Sequence, residues 1–320
     1  MKPPFALLLL AAVSLSIPTM LKAETKTELW VYTSIYKEFA APLAKAFEDR
    51  NPGVSVQVFQ GGSEKIQAKI EAEVIAKTVQ ADILLTSDPF WSAELDKRGL
   101  VYTRPGHPGE ETNYFSVMVL IAHKDLPEKQ RPQTFADLAD PRFDKLVQMG
   151  SPLESGTMFS AVAYLSQKYG WDYFDKLHKN HIASSGGNST VIQKVESGEK
   201  KIGMVLLENA LAARKRGSPI EIIYPADGSI PIPSVQVITK DSAHKDVASR
   251  FADFVLTVDG QKLLRNGYMY AVNSKVAPPE GAKPLTEITA NSTAWTPERI
   301  RTVAEQGKKI KSKFADMILE

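Results

Sequence analysis

The chain has 320 residues, of which 43% are hydrophobic and 24% charged, and 39 basic residues nearly balance 37 acidic ones for a formal charge of +2. This composition excludes a disordered chain and lacks the basic excess of a nucleic-acid-binding protein, and the length predicts about two domains of ~150 residues. No cysteine occurs, which excludes disulfides, thiolate metal sites and a cysteine nucleophile.

The N-terminus has the features of an export signal. Lys2 precedes the apolar run Phe5–Ile17, which is too short to span a membrane at ~20 residues but has the length of a signal-peptide core. Pro18 ends the run, and Ala23 supplies a small residue for cleavage. We predict a signal peptide over residues 1–23, cleavage after Ala23 and a periplasmic mature protein. The alternatives are a retained membrane anchor or a cytosolic leader.

Strands alternate with helices through the first hundred residues, and each strand ends at a turn of small or hydroxyl-bearing residues. The predicted strands are Glu28–Tyr32, Val54–Phe59 and Asp82–Leu85, and a helical pattern follows each of them. Such alternation indicates a largely parallel sheet whose turns gather at the carboxyl ends of the strands.

The second half repeats this alternation. Val147–Met149, Ile202–Leu207 and Ile220–Tyr224 are interpreted as strands, and Met158–Lys168 and Ala210–Arg216 as helices. This repetition predicts a second lobe of the same α/β class.

Two further strands differ because Lys-Asp follows each of them in place of a helix cap. We interpret these strands, Tyr114–Ala122 and Val235–Thr239, as paired segments in which the chain crosses between the lobes and back. The predicted division places residues 24–120 and 236–320 in lobe 1, residues 121–235 in lobe 2, and a two-strand hinge near 118–122 and 234–238.

The turns that open the helices offer groups for binding an anion. Helix N-termini carry free N–H groups and a partial positive charge, so they can hold a phosphate or carboxylate without a basic side chain. Any one of these residues could simply cap its own helix, but two facing lobes would bring all of them to one cleft. The candidates are Thr33, Ser34, Gly62, Ser63, Thr86, Ser87, Ser155, Gly156, Thr157, Asn188 and Ser189.

Two carboxylates and three tyrosines complete the candidate binding residues. Glu208 and Asp227 each follow an apolar strand and suit ligand hydroxyls or an ammonium group. Alternatively, Glu208 caps its helix and Asp227 is a turn residue. Tyr36, Tyr268 and Tyr270 are candidates for the cleft mouth, or are packing residues.

Signatures of enzymes and metal sites are scarce. The five histidines show no His-Glu-x-x-His spacing, and the sequence has no Gly-x-Ser-x-Gly elbow and no nucleotide-binding glycine loop. We therefore expect no catalytic residue, no metal site and no cofactor.

A family resemblance rests on the order of these segments along the chain. The sequence resembles the periplasmic solute-binding proteins of ABC importers, within the type II group of ferric-ion, hexose-phosphate and aminoethylphosphonate binders. The resemblance implies a two-lobe Venus-flytrap fold that closes on one small solute and docks on a membrane permease. The segments that carry it are Leu29–Ser34, Ala81–Leu84, Ser155–Thr157, Ser197–Glu199, Gly267–Tyr268 and Pro278–Gly281.

The resemblance also bears on the ligand. Ferric binders of this group carry a Tyr-Tyr pair where this chain has Glu208 and Asn209, which disfavours iron. Glu208 and Asp227 match acidic positions of the sugar-phosphate binders, and Ser155–Thr157 matches the segment that holds the anion.

We therefore predict a monomeric binding protein for a phosphorylated or phosphonate solute, which it delivers to the importer's permease. The alternatives are a binder of Fe(III) with an anion, and an exported phosphatase-like enzyme.

Overall fold

The computed structural model describes residues 26–319, so the predicted signal peptide and its cleavage at Ala23 lie outside the described residues. The strands are β1 (Thr27–Thr33), β2 (Val54–Gln60), β3 (Ile83–Thr86), β4 (Val101–Tyr102), β5 (Glu110–His123), β6 (Val147–Met149), β7 (Ala183–Ser184), β8 (Ile202–Leu206), β9 (Ile220–Ile223), β10 (Ile230–Thr239) and β11 (Tyr270–Ala271). The helices are α1 (Lys37–Arg50), α2 (Ser63–Ala76), α3 (Pro89–Lys97), α4 (Gly156–Tyr169), α5 (Trp171–Lys179), α6 (Asn188–Glu196), α7 (Leu207–Lys215), α8 (Lys245–Leu256), α9 (Val258–Asn266), α10 (Leu285–Ile288) and α11 (Pro297–Ile318).

The strands join one mixed sheet with the central order β2-β1-β3-β10-β5-β8-β6-β7. At one end β1 pairs in parallel with β2 and β3, and at the other β6 pairs in parallel with β7 and β8. Parallel neighbours need crossover connections, and the helices supply them on the faces of the sheet. This arrangement confirms the predicted class, an α/β fold with mostly parallel sheet regions flanked by helices.

The two strands predicted to carry the chain across form the centre of the sheet. β5 and β10 pair antiparallel, with Ile230 opposite Met118, so their predicted pairing is confirmed. The register shifts between Ser234 and Val235, and Asn113 of β5 has no partner there, which makes a bulge. A bulge bends and twists a strand pair, so the two central strands change direction at this point.

The last long helix was not predicted from the sequence. α11 packs on α3, α4 and α5. Val303, Ile310 and Phe314 are its buried residues, and the Phe314 ring lies 5.7 Å from that of Phe174. The predicted division assigns all of residues 236–320 to lobe 1, whereas α11 also contacts helices that this division places in lobe 2. In the described part of the chain, no helix has the length and apolar composition needed to cross a membrane.

Candidate functional site

A cavity of about 560 Å³ lies where several helices begin, which is within the usual size range of small-molecule sites. Most of the binding residues predicted from the sequence line this cavity. They are Ser34, Tyr36, Gly62, Ser63, Ser87, Ser155, Gly156, Thr157, Asn188, Ser189 and Glu208.

The N-terminal residues of α1, α2, α4, α6 and α7 contribute to the cavity wall. Of these five helices only α4 has a side-chain cap, because Oγ of Ser155 accepts from the N–H of Met158; the others have no capping side-chain bond. The first N–H groups of a helix have no acceptor within the helix. Several helix starts therefore offer N–H donors and partial positive charge to one enclosed space.

The hydroxyls at the start of α4 are held in place by α6. Oγ1 of Thr157 lies 3.1 Å from Oγ of Ser155 and accepts from Nδ2 of Asn188 at 3.1 Å. Asn188 in turn accepts at Oδ1 from the N–H of Leu206, at the end of β8. Because Asn188 already donates to the oxygen of Thr157, the Thr157 proton is available to Ser155 or to a ligand.

Gly156 allows the start of α4 to approach α2 and α3. A Cβ atom at this position would lie 2.9 Å from Cβ of Ser63 and 3.1 Å from Cβ of Asp88, closer than ordinary packing permits. The absence of a side chain at Gly156 therefore allows the contact between two walls that come from distant parts of the sequence.

The opposite wall is built from the ends of β1 and β3. Oγ of Ser34 accepts from the N–H of Ser87 at 3.1 Å, and Oγ of Ser87 lies 3.0 Å from the hydroxyl of Tyr114. These contacts fix the Ser34 and Ser87 side chains at the cavity.

Tyr36 joins the two walls across the cavity. Its hydroxyl oxygen accepts from Nδ2 of Asn209 at 3.0 Å and lies 3.0 Å from Oγ of Ser189. These partners lie in the first turns of α7 and α6, whereas Tyr36 precedes α1. The contacts can exist only while the walls are close together.

Glu208 brings a carboxyl group into the cavity from the first turn of α7. Oγ of Ser116 donates to its Oε1 at 2.5 Å, and burial raises the pKa of this carboxyl from 4.5 to about 7. Burial disfavours the charged form, so the folded protein holds this proton more tightly than the unfolded chain does.

We expect the Glu208→Gln substitution to change how stability depends on pH. The folded-state pKa lies above the unfolded value, so the Glu208 contribution to stability is present below pH 4.5 and is lost as pH rises toward 7. The full shift corresponds to about 3 kcal/mol. Thermal unfolding should show that the melting temperature of the variant rises relative to that of the original protein between pH 5 and pH 8. Parallel curves for the two proteins would contradict the raised pKa.

Three of the predicted binding residues do not line the cavity. Thr33 is buried at the end of β1, where its hydroxyl donates to the carbonyl of Leu85, and Thr86 is fully buried in β3. Asp227 accepts from the N–H groups of Phe135 and Ala136 and from the hydroxyl of Tyr169. The Asp227 carboxylate therefore fixes a turn at the far end of α4, in place of the predicted contact with a ligand.

The tyrosines predicted near the cleft mouth also have structural contacts. Tyr268 is buried and packs edge-on against Phe39 at 6.3 Å between ring centres. The hydroxyl of Tyr270 donates to the carbonyl of Lys283 at 2.7 Å. Neither tyrosine is part of the cavity wall, although their neighbours Gly267 and Met269 are.

Sequence reasoning missed several residues that line the cavity farther along α6 and α7. Gln193 and Glu196 lie four and seven residues after Ser189, on the same face of α6, and Arg216 directly follows the last residue of α7. Arg216 is exposed, and it also lines the cavity. The helical spacing of these positions was the available signal.

Within residues 26–319, no group of three or more His, Asp or Glu side chains gathers in a way that could hold a metal ion. The groups offered at the cavity are hydroxyls, amides, helix N–H groups and carboxylates.

Comparison with known sequences gives a family profile and a similar protein. The sequence profile described as "Bacterial extracellular solute-binding protein" matches residues 29–269. An uncharacterized protein of Haemophilus influenzae is 26% identical over 287 residues, which cover 78% of this chain and 82% of that protein.

Solved structures share the fold at low sequence identity. The periplasmic binding protein AfuA from Actinobacillus pleuropneumoniae, with exogenous fructose-6-phosphate bound, has a TM-score of 0.80 at 23% identity, covering 92% of this chain and 99% of that one. Iron-bound HitA from Pseudomonas aeruginosa has a TM-score of 0.77 at 21% identity, and the match covers 90% of this chain and 99% of that one. These two relatives bind different kinds of ligand on the same fold, so the fold alone does not identify the solute.

Proposed function

The chain belongs to the bacterial extracellular solute-binding proteins, and we propose that it captures a small phosphorylated or phosphonate solute. It is a binding protein of the ABC-importer type and not an enzyme. Proteins of this family deliver small solutes to a membrane permease.

The convergence of helix starts is the observation that carries the proposed ligand class. A phosphate has several acceptor oxygens and at least one negative charge, and the starts of α2, α4 and α6 supply N–H donors with partial positive charge. The hydroxyls of Ser155 and Thr157 add donors beside them. The fructose-6-phosphate bound to AfuA agrees with this class of ligand on this fold.

The mechanism is capture followed by closure. The anion replaces its hydration shell with N–H and hydroxyl groups that the fold already holds in position, and Glu208 accepts from a donor elsewhere on the solute. Tyr36 then bonds to Ser189 and Asn209, which keeps the walls together around the bound solute. Closure moves two packed bodies about the β5–β10 pair, as in other hinged binding proteins.

A thermal-shift screen tests the ligand class. Phosphate-bearing solutes such as fructose-6-phosphate, and 2-aminoethylphosphonate, are compared with the same compounds lacking phosphorus. A ligand at a hundred times its dissociation constant stabilises the folded state by ~2.7 kcal/mol, so we expect the melting temperature to rise by about 5 °C.

Ferric citrate is the decisive control in this screen. Stabilisation by ferric citrate but by no phosphorus compound would reject the proposal and favour iron binding. Equal stabilisation by phosphorylated and unphosphorylated sugars would show that the phosphate is not what the cavity recognises.

A further inference from the structure

The long helix α11 reaches the starts of α2 and α4 through one side chain, that of Lys311. Its Nζ lies 2.7 Å from Oε1 of Glu64, in the first turn of α2, and 4.9 Å from the ring centre of Phe159, in the first turn of α4. Ser63 and Gly156, the first residues of these two helices, line the cavity. Lys311 therefore lies behind two of the helix starts that the proposed function assigns to the anion.

The Lys311–Glu64 ion pair is largely shielded from water. Its side chains are 23% and 18% exposed, whereas those of Lys97 and Glu305, which join α3 to α11, are 70% and 64% exposed. Water and salt screen exposed charges strongly and partly buried charges much less. The charges of Lys311 and Glu64 therefore act on their surroundings over a longer distance than the exposed pair does.

A buried carboxyl group beside the cavity wall responds to both charges. Asp88 caps α3 and is 3% exposed, and a Cβ atom at Gly156 would lie 3.0 Å from its Oδ2. Burial and the nearby charge of Glu64 raise the pKa of Asp88 to about 7, whereas Lys311 and the N–H groups at the start of α3 oppose this rise. Because Asp88 adjoins Gly156, an anion held at the start of α4 also lies within reach of both charges.

Glu64 has opposite effects on folding and on anion binding. A carboxylate in the first turn stabilises a helix, so Glu64 is favourable for α2 itself. An anion held at the neighbouring Ser63 is repelled by the same carboxylate, because like charges raise each other's energy. The ammonium group of Lys311 offsets this repulsion and leaves the partial positive charge of the helix starts effective.

We propose that Lys311 makes the anion site effective from behind, because its charge offsets that of Glu64 at the starts of α2 and α4. Lys311 is a positioning residue and not a ligand contact, since it is not part of the cavity wall. This inference rests on the proposed function and adds α11 to the elements that determine the affinity for a phosphate or phosphonate.

Titration calorimetry with fructose 6-phosphate, 2-aminoethylphosphonate and inorganic phosphate tests the inference. Lys311→Met removes the charge but keeps an unbranched side chain against Phe159, and we expect the dissociation constant of the tightest probe to rise about tenfold. A unit charge about 10 Å from an anion changes its affinity on the order of tenfold at an effective dielectric constant of about 20.

Glu64→Gln distinguishes charge from mechanical support. We expect this variant to bind the probe more tightly than the original protein, because Lys311 is then unopposed, although its melting temperature falls with the loss of the favourable charge on α2. The double variant Lys311→Met with Glu64→Gln has neither charge, so its affinity should return to near that of the original protein.

Two further variants serve as controls. Lys311→Arg keeps the charge and should retain most of the affinity. Lys97→Met removes another ion pair of α11, at a residue outside the cavity wall, and should leave the affinity unchanged. Thermal unfolding of each variant without ligand shows whether it is folded.

The outcomes separate this inference from the proposed function. If the ion pair only holds α11 in place, Glu64→Gln and Lys311→Met weaken binding alike and the double variant is no better than either. That result, or unchanged affinity in Lys311→Met, overturns the inference while phosphate binding by the original protein stands. Weaker binding in Glu64→Gln overturns it even if Lys311→Met does not fold. Binding of none of the three probes by the original protein contradicts the proposed function, and the role of Lys311 falls with it.

Discussion

Replacing Gly156 with valine is expected to raise the dissociation constant for a phosphorus-bearing solute by about a hundredfold. A Cβ at this position lies 2.9 Å from Cβ of Ser63, a distance that packed atoms do not adopt, and a tight 3.1 Å from Cβ of Asp88, and valine adds two methyl groups beyond it. Forcing extra atoms into a close contact typically costs about 1–3 kcal/mol, and the upper end of this range, which the two added methyl groups favour, is about two powers of ten in binding. Under the division predicted from the sequence, the clash separates the lobes and leaves each lobe's interior unchanged.

The measurement is titration calorimetry beside thermal unfolding without ligand. We expect affinity to fall while the melting temperature of the free protein changes little. Gly53→Ala is the matched control, because a Cβ there meets no atom within 4 Å. Unchanged affinity in Gly156→Val would mean that this contact does not form part of the bound state.

The second large effect is expected from removing the two hydroxyls at the start of α4. In the double variant Ser155→Ala with Thr157→Val, we expect affinity for the anion to fall by 1–3 kcal/mol for each charge-assisted bond lost. Thr157→Val keeps the volume of the side chain, so the loss of affinity measures the contribution of the hydroxyl group.

Two single variants separate binding from folding in this test. Thr157→Ser keeps the hydroxyl and should retain most of the affinity. Ser160→Ala removes a buried hydroxyl that bonds to the carbonyl of Gly156 within the same helix, outside the cavity wall, and should leave affinity unchanged. Full affinity in the double variant would remove both hydroxyls from the binding site.

The sequence was informative wherever function depends on local chemistry. Ser155, Gly156 and Thr157 could be recognised because a turn of small hydroxyl-bearing residues at a helix start has the same chemistry in any fold. Their meeting with Ser34 and Ser63 followed from the alternation of strands and helices, because that pattern predicts which ends of the elements gather at one edge.

The Asp227 prediction shows the limit of this reasoning. A carboxylate after an apolar strand looked like a counterpart of Glu208, but its partner Tyr169 is the last residue of α4. The cavity lies at the first residue of that helix, ~20 Å away at 1.5 Å per residue. The distance depends on how the loop after β9 folds back, which no local pattern in the sequence specifies.

The α11 helix was missed for a different reason. It buries only Val303, Ile310 and Phe314 among its 22 residues, so its apolar stripe is too narrow to stand out from a charged segment. Contacts with α3, α4 and α5 stabilise it, and these are tertiary contacts that the sequence alone does not predict.

The position of β10 in the sheet has a consequence for how the chain folds. β10 lies between β3 and β5, and it pairs residue 237 with residue 84, so the sheet cannot be completed until most of the chain is available. Contacts between residues so distant in sequence form slowly, because closing the long intervening loop costs chain entropy before the contacts can offset it. Late completion of the sheet leaves the chain unfolded for longer, which is compatible with the export that the sequence predicts.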